Sequence, residues 1–406
     1  MTVGNWRWAR AQAKKPILIG LTCDASGTYA DSGDAERRGI VMAIDEFNAK
    51  GGLLGRKIEY KHEDTETDPS AGARKAKRLI ERERVDFLIG GTSSAVGNAI
   101  SELAQQAGVV YVDPNCSSDA RSNENCHRVN FNVDGNNYMF GHALAPWVAQ
   151  NLGKRWLFLT HDYTFGKTGT AVFRQLLKEE KGEEVGEILV PMGQRDFSAQ
   201  LIKIQNMKPD AVMVTVAGAD LIAMIEQATE FGVDKKIPFC FTLRDYTDAW
   251  AVGLKGNFGV FGITWYHLLD LPGVPDFIAR YKKRWPKSPI PVPENVSYNG
   301  YMGARELLRA VERAGTTRNH DVIKQMEDHV FSDNMKHHPT TIRAFDHQFM
   351  QTMYIAKAKR REQMKDETDL WEILGVIKPE VAAYKKEDSK CKMEPYSSTP
   401  VYQIQS

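Results

Sequence analysis

The chain reads as an α/β protein made of two doubly wound parallel-sheet lobes, and three observations predict it. From Ile17 to about Asn132, buried strands alternate with amphipathic helices. From Arg155 the same programme starts again. A chain of 406 residues is also too long for one ordinary hydrophobic core and suggests two lobes. Strands alternating with helices imply a parallel sheet covered on both faces. Open sheets of this kind hold ligands beyond the carboxyl ends of their strands, so two in tandem suggest a cleft between those edges.

The elements follow in order. Ile17 to Leu21 is an apolar strand, followed by a polar loop with Ser26-Gly27 and Tyr29. Ile40, Val41, Ile44 and Phe47 then make one face of a helix that Gly51-Gly52 stops, since glycine takes the left-handed C-cap conformation. Gly52-Leu53-Leu54-Gly55 turns the chain into a second strand, where Ile58 and Tyr60 alternate with polar neighbours. Asp68 caps a charged helix, Ala71 to Glu83, leading to the strand Val85 to Ile89. Gly90-Gly91-Thr92-Ser93-Ser94 opens the next helix, and Val109 to Val112 is the strand after it.

In the second half Trp156 to Thr160 is a strand and a helix surrounds Val172 to Leu177. Strands follow at Ile188 to Val190, Ala211 to Val216 and Pro238 to Thr242, with helices at Phe197 to Met207 and Leu221 to Phe231. Val296 to Arg313, carrying Tyr298, Tyr301, Leu307, Leu308 and Val311, is a further helix.

The loop SGTYADSG (Ser26 to Gly33), the helix ending FNAKGGLLGRKI (Phe47 to Ile58) and the acidic run before Asp68-Pro69 form a specific pattern. Together they resemble the amino-terminal βαβ unit of type I periplasmic solute-binding proteins, the leucine/isoleucine/valine-binding family. The resemblance continues to about Lys359 and is less clear beyond it. It implies lobes joined by a multi-crossover hinge around a ligand cleft. Residues 17–133 and 268–343 would form the amino-terminal lobe, and 134–267 and 344–406 the carboxy-terminal one. The chain would return to the first lobe near Val296 to Arg313 and cross again near Arg343-Ala344-Phe345-Asp346, making a hinge that closes over a ligand. The function implied is that of a periplasmic receptor delivering a small solute to an ABC importer permease.

Export would call for a signal peptide. Ala11-Gln12-Ala13 looks like a cleavage site, yet Met1 to Arg10 contains no apolar run, and the resemblance favours a truncated start over a cytoplasmic protein. Lys+Arg 53 against Asp+Glu 52 leaves no electrostatic footprint for nucleic acid. No run of eighteen apolar residues is present to span a membrane. Cys23, Cys116, Cys126, Cys240 and Cys391 make no C-x-x-C pair, so zinc is not expected. Cys116 and Cys126 bracket a polar loop and could close it as a disulfide worth about 2–3 kcal/mol. The alternative is two unrelated thiols.

For the ligand, Thr92, Ser93 and Ser94 sit between a strand and a helix N-terminus, where free N–H groups and the helix dipole favour an anion. Ser and Thr are equally common there as plain N-caps. The resemblance assigns the ligand carboxylate to Ser94, with Thr92 and Ser93 beside it, and adds Asn115 and Ser117 from the next loop. In the second lobe it implies Tyr163 and Phe165 as aromatic walls, with Ala217 and Gly218 where family members often carry a tyrosine. Leu243 aligns with the family's ammonium-pairing glutamate, although a small register shift would bring Asp245 there. Arg244 would favour an anion, and Tyr29 and Tyr298 could add aromatic walls.

These readings predict a ligand with a carboxylate, amino acid-like, 2-oxo or aromatic, and favour one lacking an α-ammonium group. No G-x-S-x-G, H-E-x-x-H or G-x-x-x-x-G-K-[ST] motif occurs, and no acid, base and nucleophile assemble into a catalytic set. The expectation is a receptor without metal or cofactor. The competing readings are a sensory domain of the same fold and, more weakly, a cleft enzyme.

Overall fold

The computed structural model describes residues 14–404. The cleavage-site-like Ala11-Gln12-Ala13 therefore lies outside the described residues.

The first half folds as β1 (Ile17–Leu21), α1 (Ala30–Ala49), β2 (Ile58–His62), α2 (Pro69–Arg78), β3 (Phe87–Ile89), α3 (Ser94–Ala107), β4 (Tyr111–Asp113) and β5 (Asn130–Asn132). The strands pair in parallel in the order β2-β1-β3-β4-β5. Asp68 caps α2 as expected, accepting from Ala71 N–H at 2.7 Å. α2 then widens into a π-type turn over Leu79–Glu83 and stops on a left-handed Arg84, so β3 starts two residues later than expected.

The programme repeats as α4 (Asn137–Asn151), β6 (Arg155–His161), α5 (Thr164–Glu179), β7 (Glu183–Val190), α6 (Ser198–Met207), β8 (Ala211–Thr215), α7 (Gly218–Glu230), β9 (Phe239–Leu243), α8 (Tyr246–Val252) and β10 (Val260–Ile263). Its strands run β7-β6-β8-β9-β10, the same relative order as the first sheet. Each sheet reverses direction of growth beside its first strand, and such a switch point leaves a crevice at the strands' carboxyl ends.

The chain then returns to the first lobe as α9 (Val274–Arg284), α10 (Asn295–Ala314) and α11 (Asn319–Met326). α10 crosses α1 backbone to backbone. A Cβ on Gly39 would stand 1.9 Å from Ser297 O, so only glycine fits. A small antiparallel sheet follows, β11 (Val330–Phe331), β12 (Thr340–Ile342) and β13 (Phe349–Met350). Next β14 (Met353–Ala358) and β15 (Trp371–Ile377) add antiparallel strands beside β10. The strands of the two lobes are thus linked by three passages of chain: after β5, after β10, and between β13 and β14.

After α12 (Pro379–Ala382), which packs on α4, the tail passes back to the first lobe. The Tyr384 hydroxyl donates to Ser122 O. Arg128 Nε donates to Glu394 O at 2.9 Å, and the Tyr402 hydroxyl donates to Val85 O at 2.7 Å. This course corrects the expected disulfide: Cys126 bonds to Cys391, not to Cys116. The tail, where resemblance was weakest, brings Cys391 to Cys126. Cys116 is a buried free thiol facing inward, 3.3 Å from Ser93 O.

Candidate functional site

The two switch points face each other across a cleft that is partly open to solvent, with about 300 Å³ of space between protein atoms and solvent included. The first lobe contributes Tyr29 from the loop after β1, Thr92 and Ser94 from the loop after β3, and Asn115 and Ser117 from the loop after β4. The second contributes Tyr163 and Phe165 after β6, Ala217 after β8, and Leu243 and Asp245 at the end of β9. The lobes touch around it. The Tyr29 and Tyr163 hydroxyls hydrogen-bond to each other across the cleft. Ala219 N–H donates to Thr28 O at 3.0 Å, and the Ser32 hydroxyl donates to Asp245 at 3.2 Å. Gly218 does not line the cavity. It has φ +65, and a Cβ there would meet Thr28 O at 2.6 Å, so it permits this contact between lobes. Tyr163 is braced from behind by the edge of His161, whose Nε2 lies 2.9 Å from the buried Asp220.

One wall donates hydrogen bonds. α3 begins at Ser94, so its first N–H groups have no intrahelical acceptors. Ser93 is the N-cap residue, yet its hydroxyl makes no capping bond, and it does not line the cavity. Ser94 Oγ accepts Ser118 N–H at 3.2 Å, which leaves the hydroxyl proton free for a ligand. Two other hydroxyls are spoken for. With the acids ionised, Thr92 donates to Glu36 at 3.0 Å and Ser117 donates to Asp134 at 3.1 Å, so both then present lone pairs to the cavity. The Asn115 amide donates to Val296 O at 3.3 Å and its Oδ1 accepts from Asn299 at 3.0 Å.

The charged groups lining the cavity are both acids, Asp134 and Asp245. Asp245 accepts from Asn295 at 2.9 Å and from Ser32, and burial pushes its carboxyl upward. Asp134 stands beside all three passages of chain, Gln351 on the third donating to the neighbouring Val133 O at 2.7 Å. On the first it precedes α4, and from beyond β10 the Thr264 hydroxyl donates to its Oδ1 at 3.0 Å. Asn299 of α10 donates to the same oxygen at 3.0 Å, and Gln348 donates to its backbone oxygen at 2.6 Å. Burial, then the neighbouring Asp245, raise the Asp134 carboxyl to about 6.

Two residues expected in the cleft lie elsewhere. Arg244 is fully buried and turned into the second lobe, donating to Phe258 O at 2.9 Å and Gly256 O at 3.0 Å between Phe241 and Phe261. Burial lowers its pKa to about 10. Side chains on an extended chain alternate faces, so Leu243 and Asp245 reach the cavity and Arg244 cannot. Tyr298 stacks on Trp265 at 4.8 Å and donates to Asn334 O, deep in the first lobe. Sequence reasoning missed Asp134 and Glu36. The position of Asp134 just past a strand's carboxyl end was a usable signal, whereas Glu36 sits mid-helix and gave none.

Among the described residues no helix is long and apolar enough to cross a membrane, and no group of three or more His, Cys, Asp or Glu is placed to hold a metal ion. Two switch-point crevices closed on one polar and aromatic cavity define a two-lobed, cleft-type ligand-binding protein. The chain belongs to the periplasmic binding protein family, whose model matches residues 16–364. It is 27% identical over 330 residues to Leu/Ile/Val-binding protein homolog 7 of Brucella abortus (strain 2308), covering 77% of this chain and 81% of that one. Its fold matches a periplasmic binding protein of Burkholderia mallei with a TM-score of 0.86 at 27% identity, covering 93% and 98%. An R. palustris ABC-transporter solute-binding protein in complex with benzoate shares the fold at TM-score 0.80 and 22% identity, covering 93% and 100%. The family and these neighbours are solute-binding proteins, and a periplasmic location is typical of the family.

Proposed function

We propose that this protein is the periplasmic receptor of an ABC importer and captures a small zwitterion, an α-amino acid or close analogue, by closing its lobes. The observation that carries this reading is the polarity of the cleft. The α3 N-terminus and Ser94 offer donors for a carboxylate, while Asp245 and Asp134 line the same cavity as acceptors for an ammonium group. This departs from the expected preference for a ligand without an ammonium group, which leaned on Arg244. A bare carboxylate would leave two buried acids without a counter-charge, a cost of several kcal/mol. The Tyr163 and Phe165 wall suits the side chain. The benzoate-bound relative supports only the capacity of this fold for an aromatic acid.

The lobes would move as residues 17–133 with 268–350 against 134–267 with 351–390, since β12 and β13 share a sheet, the tail from Cys391 moving with the first. The ligand would leave unchanged for a membrane permease. Genes for permease and ATPase subunits beside this one would separate an importer from a sensory domain.

The test is a thermal-shift screen of amino acids and carboxylates followed by calorimetry on L-leucine against 4-methylpentanoate, the same skeleton without the amino group. A ligand at about 100 times its dissociation constant stabilises the protein by about 2.7 kcal/mol. The amino acid is expected to bind more tightly, and Asp245→Asn to cost it about 2–5 kcal/mol. Tighter binding of 4-methylpentanoate would refute the zwitterion, and chemical conversion of the ligand would refute the receptor.

A further inference from the structure

Glu36 lies at 0% exposure beneath the loop that carries the donor wall. Its Oε1 accepts Gly91 N–H at 2.8 Å and its Oε2 accepts the Thr92 hydroxyl at 3.0 Å. The helix crossing fixes it from the other side, where a Cβ on Gly300 of α10 would come 2.5 Å from Glu36 O. The titratable groups around it are Cys23 and Asp24 after β1, Tyr111 on β4 and Cys116 after β4, with the Asn115 amide beside them. None of these is a cation, and no ion pair reaches Glu36 among the described residues. Burial, reinforced by Asp24, raises the carboxyl to about 8.

We infer that Glu36 is a proton-linked positioning residue that sets whether Thr92 donates to, or accepts from, the ligand. A threonine hydroxyl has one proton and two lone pairs. Ionised Glu36 is acceptor-only, so Thr92 must spend its proton on Oε2, and the cavity meets a lone pair backed by a buried negative charge. Protonated Glu36 reverses that bond: Oε2–H donates to Thr92 Oγ, and the Thr92 proton turns toward the ligand carboxylate. Oε1 accepts from Gly91 in both states, so the loop need not move. Capture of a carboxylate at alkaline pH therefore takes up one proton at Glu36, and affinity falls as pH rises through its titration.

The inference rests on the carboxylate end of the proposed ligand, so the probe is acetate, which needs only the donor wall. Amide chemical shifts of Ser94, Ala95 and Val96 report its binding. In the wild type, affinity is expected to be level below about pH 7 and about tenfold weaker by pH 9, the size of one hydrogen bond to a charged group. Glu36→Gln copies the protonated form, its NH₂ donating to Thr92 and its carbonyl accepting from Gly91. It should hold the acidic affinity through pH 9. The Glu36 carboxyl ¹³C shift in the wild type supplies a second readout, its midpoint moving upward with acetate bound. A level wild-type profile, a Glu36→Gln profile that still falls, or an unmoved Glu36 midpoint overturns the inference while acetate continues to shift the α3 amides. Amides that acetate never shifts would instead remove the carboxylate wall itself, and this inference with it.

Discussion

The Cys126–Cys391 bond closes 265 residues of chain, and this length gives a sharp expectation for its removal. A cross-link stabilises mainly by restricting the unfolded chain, and the loss of loop entropy grows with loop length. For a loop this long the chain-entropy estimate is about 5 kcal/mol, against about 2–3 kcal/mol for the ten-residue loop that a Cys116–Cys126 bond would have closed. The folded state changes little on removal, because the tail keeps other anchors on the first lobe. Arg128 still grips Glu394, Tyr396 still donates to Glu327 at 2.8 Å, and Tyr402 still reaches Val85.

Cys126→Ser and Cys391→Ser should therefore lose the same amount, roughly 3–5 kcal/mol, in urea unfolding under oxidising conditions. Reduction of the wild type should produce an equal loss. Cys116→Ala removes only a small buried thiol and should cost about 1 kcal/mol, unchanged by reductant. Mapping of non-reduced peptides should join the fragment holding Cys126 to that holding Cys391. The reasoning fails if Cys391→Ser lies within about 1 kcal/mol of wild type. It fails equally if Cys116→Ala behaves like Cys126→Ser, since the short loop would then be the one that is closed.

Three further expectations concern the cleft and its surroundings. Ser94→Ala should weaken the ligand by about 1.5–3 kcal/mol in calorimetry while the ligand-free melting point holds; a fall in apo stability with affinity intact would make Ser94 only a helix-start residue. Arg244→Ala should do the opposite, lowering apo stability by about 3 kcal/mol through the lost packing and the orphaned carbonyls of Gly256 and Phe258. A large loss of affinity without loss of stability would return Arg244 to the site. Burial raises Asp134 to about 6, Asp119 to about 7 and Glu36 to about 8, so each binds its proton more tightly folded than unfolded. Their contribution is complete below about pH 4 and disappears as pH climbs to about 8, at about 1.4 kcal/mol per pH unit for each group that differs. Melting temperature should fall across that window and fall less in Glu36→Gln; a level profile from pH 5 to 8 would refute the buried-acid account.

What could be read from the residues tracks how local the cause was. β1, α1 and β2 were legible because an apolar run, a helical stripe and the Gly51-Gly52 stop all lie within one βαβ unit. β5 was not, because Asn130-Phe131-Asn132 is a buried strand with a polar sequence whose side chains find partners in other segments: Arg121 for Asn132, and His347 stacked on Phe131. β14 and β15 extend the second sheet antiparallel, and no local period says which sheet a late strand joins. The same division runs through the site. Tyr29, Thr92, Ser94, Asn115, Ser117, Tyr163, Phe165 and Ala217 follow strand ends, so topology alone brings them to the crevice. At Leu243-Arg244-Asp245 the rule was available and went unused: a residue that faces the cavity at the end of β9 forces the next one away. With Arg244 turned away and Asp245 lining the cavity, the charged side chains at the cleft are acids, which is the ground for the proposed zwitterion. Asp134 follows the end of β5, so its place at the crevice was legible too, but its partners were not, since Thr264, Asn299 and Gln348 arrive from later segments. That carboxylate borders the cavity and accepts from Thr264 just past β10, so a charge bound in the cavity would be felt where the chain passes between the lobes. On the proposed zwitterion reading, an ammonium group bound at Asp134 would favour the closed arrangement of these links, so that closure would follow from capture.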